Sequence, residues 1–280
     1  MIPQIGKINR LKVLRKVSIG YFLDGDTLGD LLLPKKYATH ELKENDELDV
    51  FIYLDSEDRL IATTQLPYAM VDDFALLKVI AVEKVGAFLD WGLPKDLLVP
   101  FREQQTKMEI GKNYLVYIYL DDNTKRIVAS SKIDKYIDNI PPDYKQGEEV
   151  ELIIAYKTDL GYKTIINSTH SGMLYNNQIY TTLSIGQKLK GYINKVRDDD
   201  KIDLMLFKPG YEKIDEIAQN IYTFLKNNNG FIPVSDKTES EKIASIFGIS
   251  KKNFKKSIGT LYKNRLIVIE DDGIRLLVNK

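Results

Sequence analysis

The amino-acid sequence predicts a mainly β protein, in which three small β-barrels in tandem precede an α+β domain. Two observations carry this prediction: a long internal repeat of strand-like segments, and a change to helical periodicity in the last quarter of the chain. A repeat of this length indicates that one small domain occurs more than once. The predicted domains are residues 1–65, 66–140, 141–210 and 211–280.

The repeat is clearest between residues 19–24, Ile-Gly-Tyr-Phe-Leu-Asp, and residues 85–90, Val-Gly-Ala-Phe-Leu-Asp. Each copy leads to a second segment, residues 48–55 or 114–121, in which side chains alternate with the period of a β-strand. The glycine inside the first strand costs stability unless it marks a bend or a close backbone approach. A unit of about 65 residues holds roughly five strands, and a barrel of five strands is typical of the OB-fold.

A third, degenerate copy follows Pro141-Pro142, because paired prolines stop regular structure. Its segment Leu160–Lys163 stands where the other copies have glycine and phenylalanine, and Tyr175 stands where they have a proline. Asp198–Asp200 aligns with a hairpin turn of the other copies. Side chains alternate along a strand, so these three carboxylates cannot converge on a metal ion.

Helical periodicity begins after Pro209-Gly210. Apolar residues between 214 and 225 recur at steps of three and four, which predicts an amphipathic helix. A second helix is predicted to start with Thr238 or Ser240 as its cap. It is predicted to end at Gly248.

A third helix is predicted to begin after Ser250, and residues 266–277 form a hairpin. This order of elements is typical of a winged helix. The third helix carries four lysines near its start and no acid: Lys251, Lys252, Lys255 and Lys256. Solvated faces usually mix signs, and the matching helix of helix-turn-helix proteins enters a groove. We therefore predict nucleic-acid contact, with a solvated face and protein docking as the alternatives.

The repeat also resembles a known domain. Gly-x-Phe-Leu, then an apolar strand, then Val-x-Ile-x-x-Asp and a basic turn resembles the S1 RNA-binding domain, an OB-fold. Nearly the whole chain resembles the conserved virulence factor B family of bacterial RNA-binding proteins, which have three S1-type domains followed by a winged helix. The resemblance implies binding of RNA and a role in post-transcriptional control of bacterial gene expression.

The resemblance assigns roles to residues of the first two copies. Phe22 and Phe88 match the aromatic residue that stacks on bases. Trp91 extends that platform or is half-buried in the barrel mouth. Asp55 precedes a basic residue in a turn where S1-type domains contact nucleic acid. The residues predicted to contact RNA here are Phe22, Arg59, Phe88, Trp91 and Arg126, with Lys125 as an alternative to Arg126. Core packing and ordinary hairpin turns remain the alternatives.

Two departures from the S1 pattern shift the expected RNA site to the third copy. Ile19 and Val85 replace an aromatic residue before the glycine, and Pro34 and Pro100 replace a histidine. Aromatic side chains with a cation on one face suit base stacking and phosphate contact. The residues predicted to form this face in the third copy are Tyr162, Lys163 and Tyr175.

Composition predicts a non-enzymatic protein without cofactor, metal or small-molecule substrate. The 280 residues include no cysteine, which excludes disulfides, thiolate metal sites and a cysteine nucleophile. Both histidines, His40 and His170, are expected to be ordinary surface residues, and no glycine-rich phosphate loop occurs. No apolar run approaches the roughly 18 residues of a membrane span, and the N-terminus lacks the apolar core of a signal peptide. The predicted location is cytoplasmic, with no membrane partner.

Charge is distributed unevenly along the chain. The net charge is zero, which argues weakly against nucleic-acid binding. Residues 211–280 nevertheless carry 12 basic and 9 acidic side chains. We predict an RNA-binding protein whose partner is single-stranded RNA. The second hypothesis is a protein-interaction scaffold that docks to the ribosome or to RNA polymerase.

Overall fold

A computed structural model describes residues 2–176, 179, 183–206 and 216–277. Three closed barrels of five strands precede a region of three helices and a small sheet, which confirms the predicted fold class. The predicted boundaries near residues 66 and 140 remain predictions, and the third, near residue 210, lies outside the described residues.

The strands of the first barrel are β1 (Ile8–Val17), β2 (Gly20–Asp24), β3 (Asp30–Pro34), β4 (Glu47–Leu54) and β5 (Leu60–Thr63). The strands of the second barrel are β6 (Phe74–Glu83), β7 (Gly86–Asp90), β8 (Leu97–Pro100), β9 (Asn113–Leu120) and β10 (Ile127–Ser130). The strands of the third barrel are β11 (Glu149–Lys157), β12 (Gly161–Ile166), β13 (His170–Tyr175), β14 (Lys188–Val196) and β15 (Ile202–Met205).

All three barrels share one topology. The first strand pairs antiparallel with the second and the fourth, and a parallel pairing of the third and fifth strands completes the closure. Each first strand has a register shift opposite the second strand. The glycine that begins each second strand lies against the next strand. A Cβ atom at Gly20, Gly86 or Gly161 would clash with the carbonyl oxygen of Leu33, Val99 or Leu174, respectively. The predicted close backbone approach is therefore confirmed, including in the degenerate copy.

Alternation along the strands separates core from outer face. In β4 of the first barrel, Val50 and Ile52 point into the barrel core. Phe51 and Tyr53 point outward, yet they are also buried, because they pack against the second barrel. One face of this strand is therefore apolar because it lines the barrel core, and the other because it contacts the next barrel.

The barrels pack against each other through these outer faces. Phe51 meets Trp91 of the second barrel edge-on, with ring centroids 5.8 Å apart. Between the second and third barrels, Phe74 shares a buried cluster with Ile153 and Ile165. Tyr136 stacks on Tyr117 at 4.1 Å beside this cluster.

The C-terminal region has the predicted winged-helix order with one additional strand. Its elements are α1 (Glu216–Asn227), β16 (Phe231–Ile232), α2 (Ser240–Phe247), α3 (Lys251–Lys263), β17 (Ile267–Ile269) and β18 (Ile274–Leu276). The short β16 pairs with β18 and was not predicted. Ile214, predicted in the first helix, lies outside the described residues.

Helix ends agree with the sequence pattern except at one position. Gly248 has a left-handed backbone conformation and its N–H donates to the carbonyl oxygen of Ala244, as predicted for the end of α2. At the start of α3, the Ser250 side chain accepts a hydrogen bond from the N–H of Asn253. The cap of α2 is Glu239 rather than Thr238 or Ser240, and it makes no side-chain capping bond. Within the described ranges, no helix combines the length and apolar character required to cross a bilayer.

Candidate nucleic-acid interface

Phe22 lies on the outer face of the first barrel, as predicted, while the adjacent Tyr21 points into the core. The Phe22 ring is half-buried, and the Arg15 guanidinium lies over it at 4.4 Å from the centroid. Arg15 in turn pairs with Asp30 at 2.7 Å. One side of the predicted stacking ring is therefore occupied by a cation that already has a partner.

Phe88 occupies the same position in the second barrel, opposite Leu98. It lines a cavity of about 240 Å³ whose other walls include Tyr53 and Asp58 of the first barrel. Across the strand pair, Ala81 stands where the first barrel has Arg15. This face therefore looks onto the neighbouring barrel rather than onto an open surface.

Trp91 does not extend a stacking platform. Its side chain is only 3% exposed. The indole N–H donates to the carbonyl oxygen of Lys95 at 2.6 Å, and the ring packs edge-on against Phe51. The prediction that Trp91 contacts RNA is wrong for this structure, because the side chain belongs to the contact between two barrels.

The basic residues of the first two hairpin turns bind acids of the same chain. Arg59 donates to Asp55 at 2.8 Å and pairs with Glu57 at 2.7 Å. Arg126 pairs with Asp58 of the first barrel. The hydrogen bond from Arg126 lowers the pKa of the Asp58 carboxyl below its ordinary value. Contact of Arg59 and Arg126 with RNA stays a prediction, and it requires exchange of these partners.

In the third barrel, Tyr162 and Lys163 lie on opposite sides of β12. Tyr162 is opposite Leu174 in register and packs against the barrel core. Lys163 is opposite Met173 and takes the outward position of Phe22 and Phe88. The prediction that Tyr162 and Tyr175 form one stacking face is wrong. The period-two alternation of the strand sends Tyr162 inward.

Lys163 and Tyr175 line one open groove of about 830 Å³. Its floor is the outer face of the third barrel, and its rim is the segment Asp138–Pro142, which enters that barrel. Asp134 accepts a hydrogen bond from Lys163 at 2.9 Å. Two of the three residues predicted for this copy therefore lie together.

Sequence reasoning missed two polar residues of the same groove, Arg197 and Asp203. The guanidinium donates to Oδ2 of Asp203 through Nε at 3.0 Å, and its Nη2 lies 2.8 Å from Oδ1 in an ion pair. Nη2 also donates to the Tyr175 hydroxyl at 2.6 Å. A signal was present: Arg197 occupies the turn position that holds Asp55 and Asp121 in the other copies.

The four lysines of α3 differ in their surroundings. Phe254, Ile258 and Leu261 bury the opposite side of the helix, as predicted. Lys252 and Lys256 are exposed, and no acid pairs with either within the described ranges. Lys255 lies 3.9 Å from Asp236, and Lys251 is half-buried. The two exposed lysines that no described acid pairs with, Lys252 and Lys256, are neighbours at four-residue spacing.

His170 is not a surface residue, in contrast to the expectation. It is 5% exposed, with Nδ1 2.9 Å from the Tyr144 hydroxyl and Nε2 2.9 Å from the carbonyl oxygen of Ile140. These contacts make His170 a structural residue that attaches the segment entering the third barrel to the start of β13. In the part of the chain that the structure describes, no group of acids and histidines is arranged to hold a metal ion.

Comparison with known proteins agrees with this architecture. A family model of the S1 domain matches residues 5–65 and 74–132, which contain the first and second barrels. A family model of the CvfB-like winged helix domain matches residues 219–276. These domains are nucleic-acid-binding types and not enzyme families.

Curated relatives match along nearly the whole chain. "Uncharacterized protein YitL" of Bacillus subtilis is 28% identical and covers 93% of this chain and 90% of its own length. "Conserved virulence factor B" of Staphylococcus saprophyticus is 25% identical and covers 97% and 94%. A crystal structure of a multidomain protein with nucleic acid binding domains from Streptococcus pneumoniae is 25% identical, with a TM-score of 0.43 and 98% coverage of both chains. The resemblance to the conserved virulence factor B family is confirmed: this chain carries S1 domains followed by a CvfB-like winged helix domain.

Proposed function

We propose that this protein binds single-stranded RNA and acts in post-transcriptional regulation of bacterial gene expression in the cytoplasm. The observation that carries the proposal is the open groove of the third barrel, lined by Lys163, Tyr175 and Arg197. An aromatic ring with cations on an OB-type face is the arrangement that stacks bases of single strands. The S1 and winged-helix domain types of the chain support nucleic acid as the ligand class.

The proposal assigns base contacts and phosphate contacts to two different surfaces. The groove supplies contacts to bases, and its cations are already balanced by nearby carboxylates. The exposed lysines of α3 supply contacts to phosphates, because Lys252 and Lys256 repel each other until an anion approaches. The faces of the first two barrels contribute fewer phosphate contacts than α3, since Arg15, Arg59 and Arg126 have acidic partners within the chain.

Binding by the full chain tests the ligand class. Fluorescence anisotropy should show saturable binding to a mixed-sequence single-stranded RNA of about 12 nucleotides, a length within the range of OB-fold sites. Binding to the duplex of the same sequence should be weaker. The affinity should fall with salt, with a logarithmic slope of about −0.7 for each phosphate contact. Equal or tighter binding to the duplex would contradict the single-strand proposal.

Crosslinking in cells tests the regulatory role. Ultraviolet crosslinking followed by sequencing of the attached RNA should recover messenger RNA segments. Recovery of crosslinked ribosomal or polymerase proteins with little RNA would instead support the scaffold hypothesis.

A further inference from the structure

Tyr175, Arg197 and Asp203 form a connected set of side chains that the other barrels lack. In the first barrel, the positions of Tyr175 and Arg197 are held by Pro34 and Asp55. Asp203 pairs with Met173 between the third and fifth strands, where the first barrel pairs Leu32 with Ile61 and the second pairs Leu98 with Val128. The third barrel therefore holds a polar network where the others hold an apolar pair.

The network leaves N–H donors of Arg197 available for a ligand. Nε and Nη2 of Arg197 are committed to Asp203 and to the Tyr175 hydroxyl. The Tyr175 hydroxyl lies 3.3 Å from Oδ1 of Asp203, to which it donates. No hydrogen bond in the described part of the chain uses Nη1 of Arg197, which carries two N–H groups. The Arg197 side chain is 40% exposed and lines the groove, whereas that of Asp203 is 16% exposed.

The charge of the groove favours a neutral ligand group over a phosphate. Its lining includes three cations and four carboxylates: Lys163, Arg197 and Lys201 against Asp138, Asp199, Asp200 and Asp203. A phosphate would gain little electrostatic attraction in this groove, because the carboxylates offset the positive charge of the cations. A nucleobase carries no charge, and its edge offers hydrogen-bonding groups at fixed positions.

We propose that Arg197, held in place by Asp203 and Tyr175, reads a keto oxygen of a base and so selects uracil or guanine in single-stranded RNA. Uracil and guanine present a carbonyl acceptor, O4 or O6, where cytosine and adenine present an amino donor. An N–H donor that is fixed in position can bond to the carbonyl oxygen of uracil or guanine, and it faces an amino donor in cytosine or adenine, with which it cannot bond. This inference rests on the proposed binding of single-stranded RNA and adds base selection to it.

Matched RNAs in which a keto group with its neighbouring ring N–H replaces an amino group with its neighbouring ring nitrogen test the proposal with the full chain. Oligouridine and oligocytidine of about 12 nucleotides form the first pair. Oligoadenosine and its inosine-substituted form, which carries O6 in place of the amino group, form the second. We expect about tenfold tighter binding of the keto member of each pair, the effect of one hydrogen bond from a charged donor. Arg197→Gln should reduce each preference to about twofold or less, while Lys188→Gln, which removes one charge outside the groove, should keep it.

A second variant guards against misfolding. Arg197→Gln combined with Asp203→Asn leaves no carboxylate without its cation and should lose the preference in the same way. An unchanged preference in either variant would overturn the proposal. A uniform loss of affinity for all four RNAs with a flatter salt slope would overturn it too, since Arg197 would then contact phosphate. Equal binding of all four RNAs by the unaltered protein refutes base selection and leaves the proposed function intact, whereas no binding refutes both.

Discussion

The first and third barrels place a cation against an aromatic ring at the same point of the fold, but on exchanged strands. In the first barrel, Arg15 of β1 covers Phe22 of β2. In the third, Lys163 of β12 lies 5.6 Å from the ring of Tyr156 of β11. Both pairs are direct cross-strand neighbours. The repeated topology therefore preserves a contact that residue-by-residue comparison of the copies does not reveal.

The two barrels differ in what lies beside this pair. Arg15 forms an ion pair with Asp30. On the nearby outer face of the first barrel, Pro94 and Lys95 of the second barrel form part of the wall of a pocket. The third barrel opens into the groove that contains Tyr175 and Arg197. Equivalent positions in a repeat therefore do not have equivalent access, and access separates a binding face from a packing face.

The largest expected effect should be the same in both barrels. Leu33 and Leu174 hold equivalent inward positions, and both are fully buried. Replacement of either by Ala should destabilise its own barrel by about 2–5 kcal/mol, through lost burial and the cavity left behind. Native-state hydrogen exchange of the barrel strands measures this locally. A much smaller loss in the third barrel would show that its core is looser and that access is not the main difference.

RNA affinity should separate the two barrels. Tyr175→Ala should weaken binding of single-stranded RNA by about 1–3 kcal/mol, the range for loss of a base stack. Phe22→Ala should change affinity by less than about 0.5 kcal/mol, because its ring is already covered by Arg15. Tyr175→Phe keeps the ring and removes only the hydroxyl that accepts from Arg197, so it should lose less affinity than Tyr175→Ala. Anisotropy titrations give both numbers, and equal losses for Tyr175→Ala and Phe22→Ala would contradict the comparison.

Salt dependence should distinguish the groove from the basic helix. Reversal of Lys252 and Lys256 to Glu should lower affinity and flatten the slope of log affinity against log salt by about 0.7 for each lost phosphate contact. Tyr175→Ala should leave that slope unchanged. Lys242→Glu, on the exposed side of α2, shows the effect on the slope of reversing a charge outside α3. An unchanged slope after reversal of both lysines would assign α3 to protein docking.

The smallest expected effect concerns the turn of the first barrel, which holds acids where the third has Arg197. The hydrogen bond from Arg126 lowers the pKa of Asp58, so its stabilising effect is present above the ordinary aspartate pKa of about 3.9 and is lost as pH falls below it. Trp91, the single tryptophan, lies in the same contact between barrels and reports on it by fluorescence. Asp58→Asn should remove part of the acid-induced change, and Asp122→Asn, at an exposed acid, should not. Identical acid profiles for both variants would contradict a role for Asp58.

Local patterns in the sequence were sufficient to predict the three barrels, the three helices and the C-terminal hairpin in their order, but not the short strand β16. The repeat and its strand glycines predicted the barrels, since Gly20 and Gly86 stand where the backbone of the next strand approaches. Gly248 and Ser250 predicted the junction of α2 and α3, because helix caps depend on residues within one turn. These features involve neighbours in the chain, and so composition and spacing reveal them.

Tertiary structure alone decided which residues are available to a ligand. Trp91 and Tyr162 are aromatic residues of the kind that stacks on bases. Packing between barrels buries Trp91, however, and the strand register turns Tyr162 inward. Arg197 and Asp203 come from β14–β15 and meet Tyr175 of β13 only when the barrel closes. Where both faces of a strand carry apolar or aromatic residues, alternation shows that faces exist but not which one is inside. Pairing of strands distant in sequence determines that choice, and with it the position of the groove.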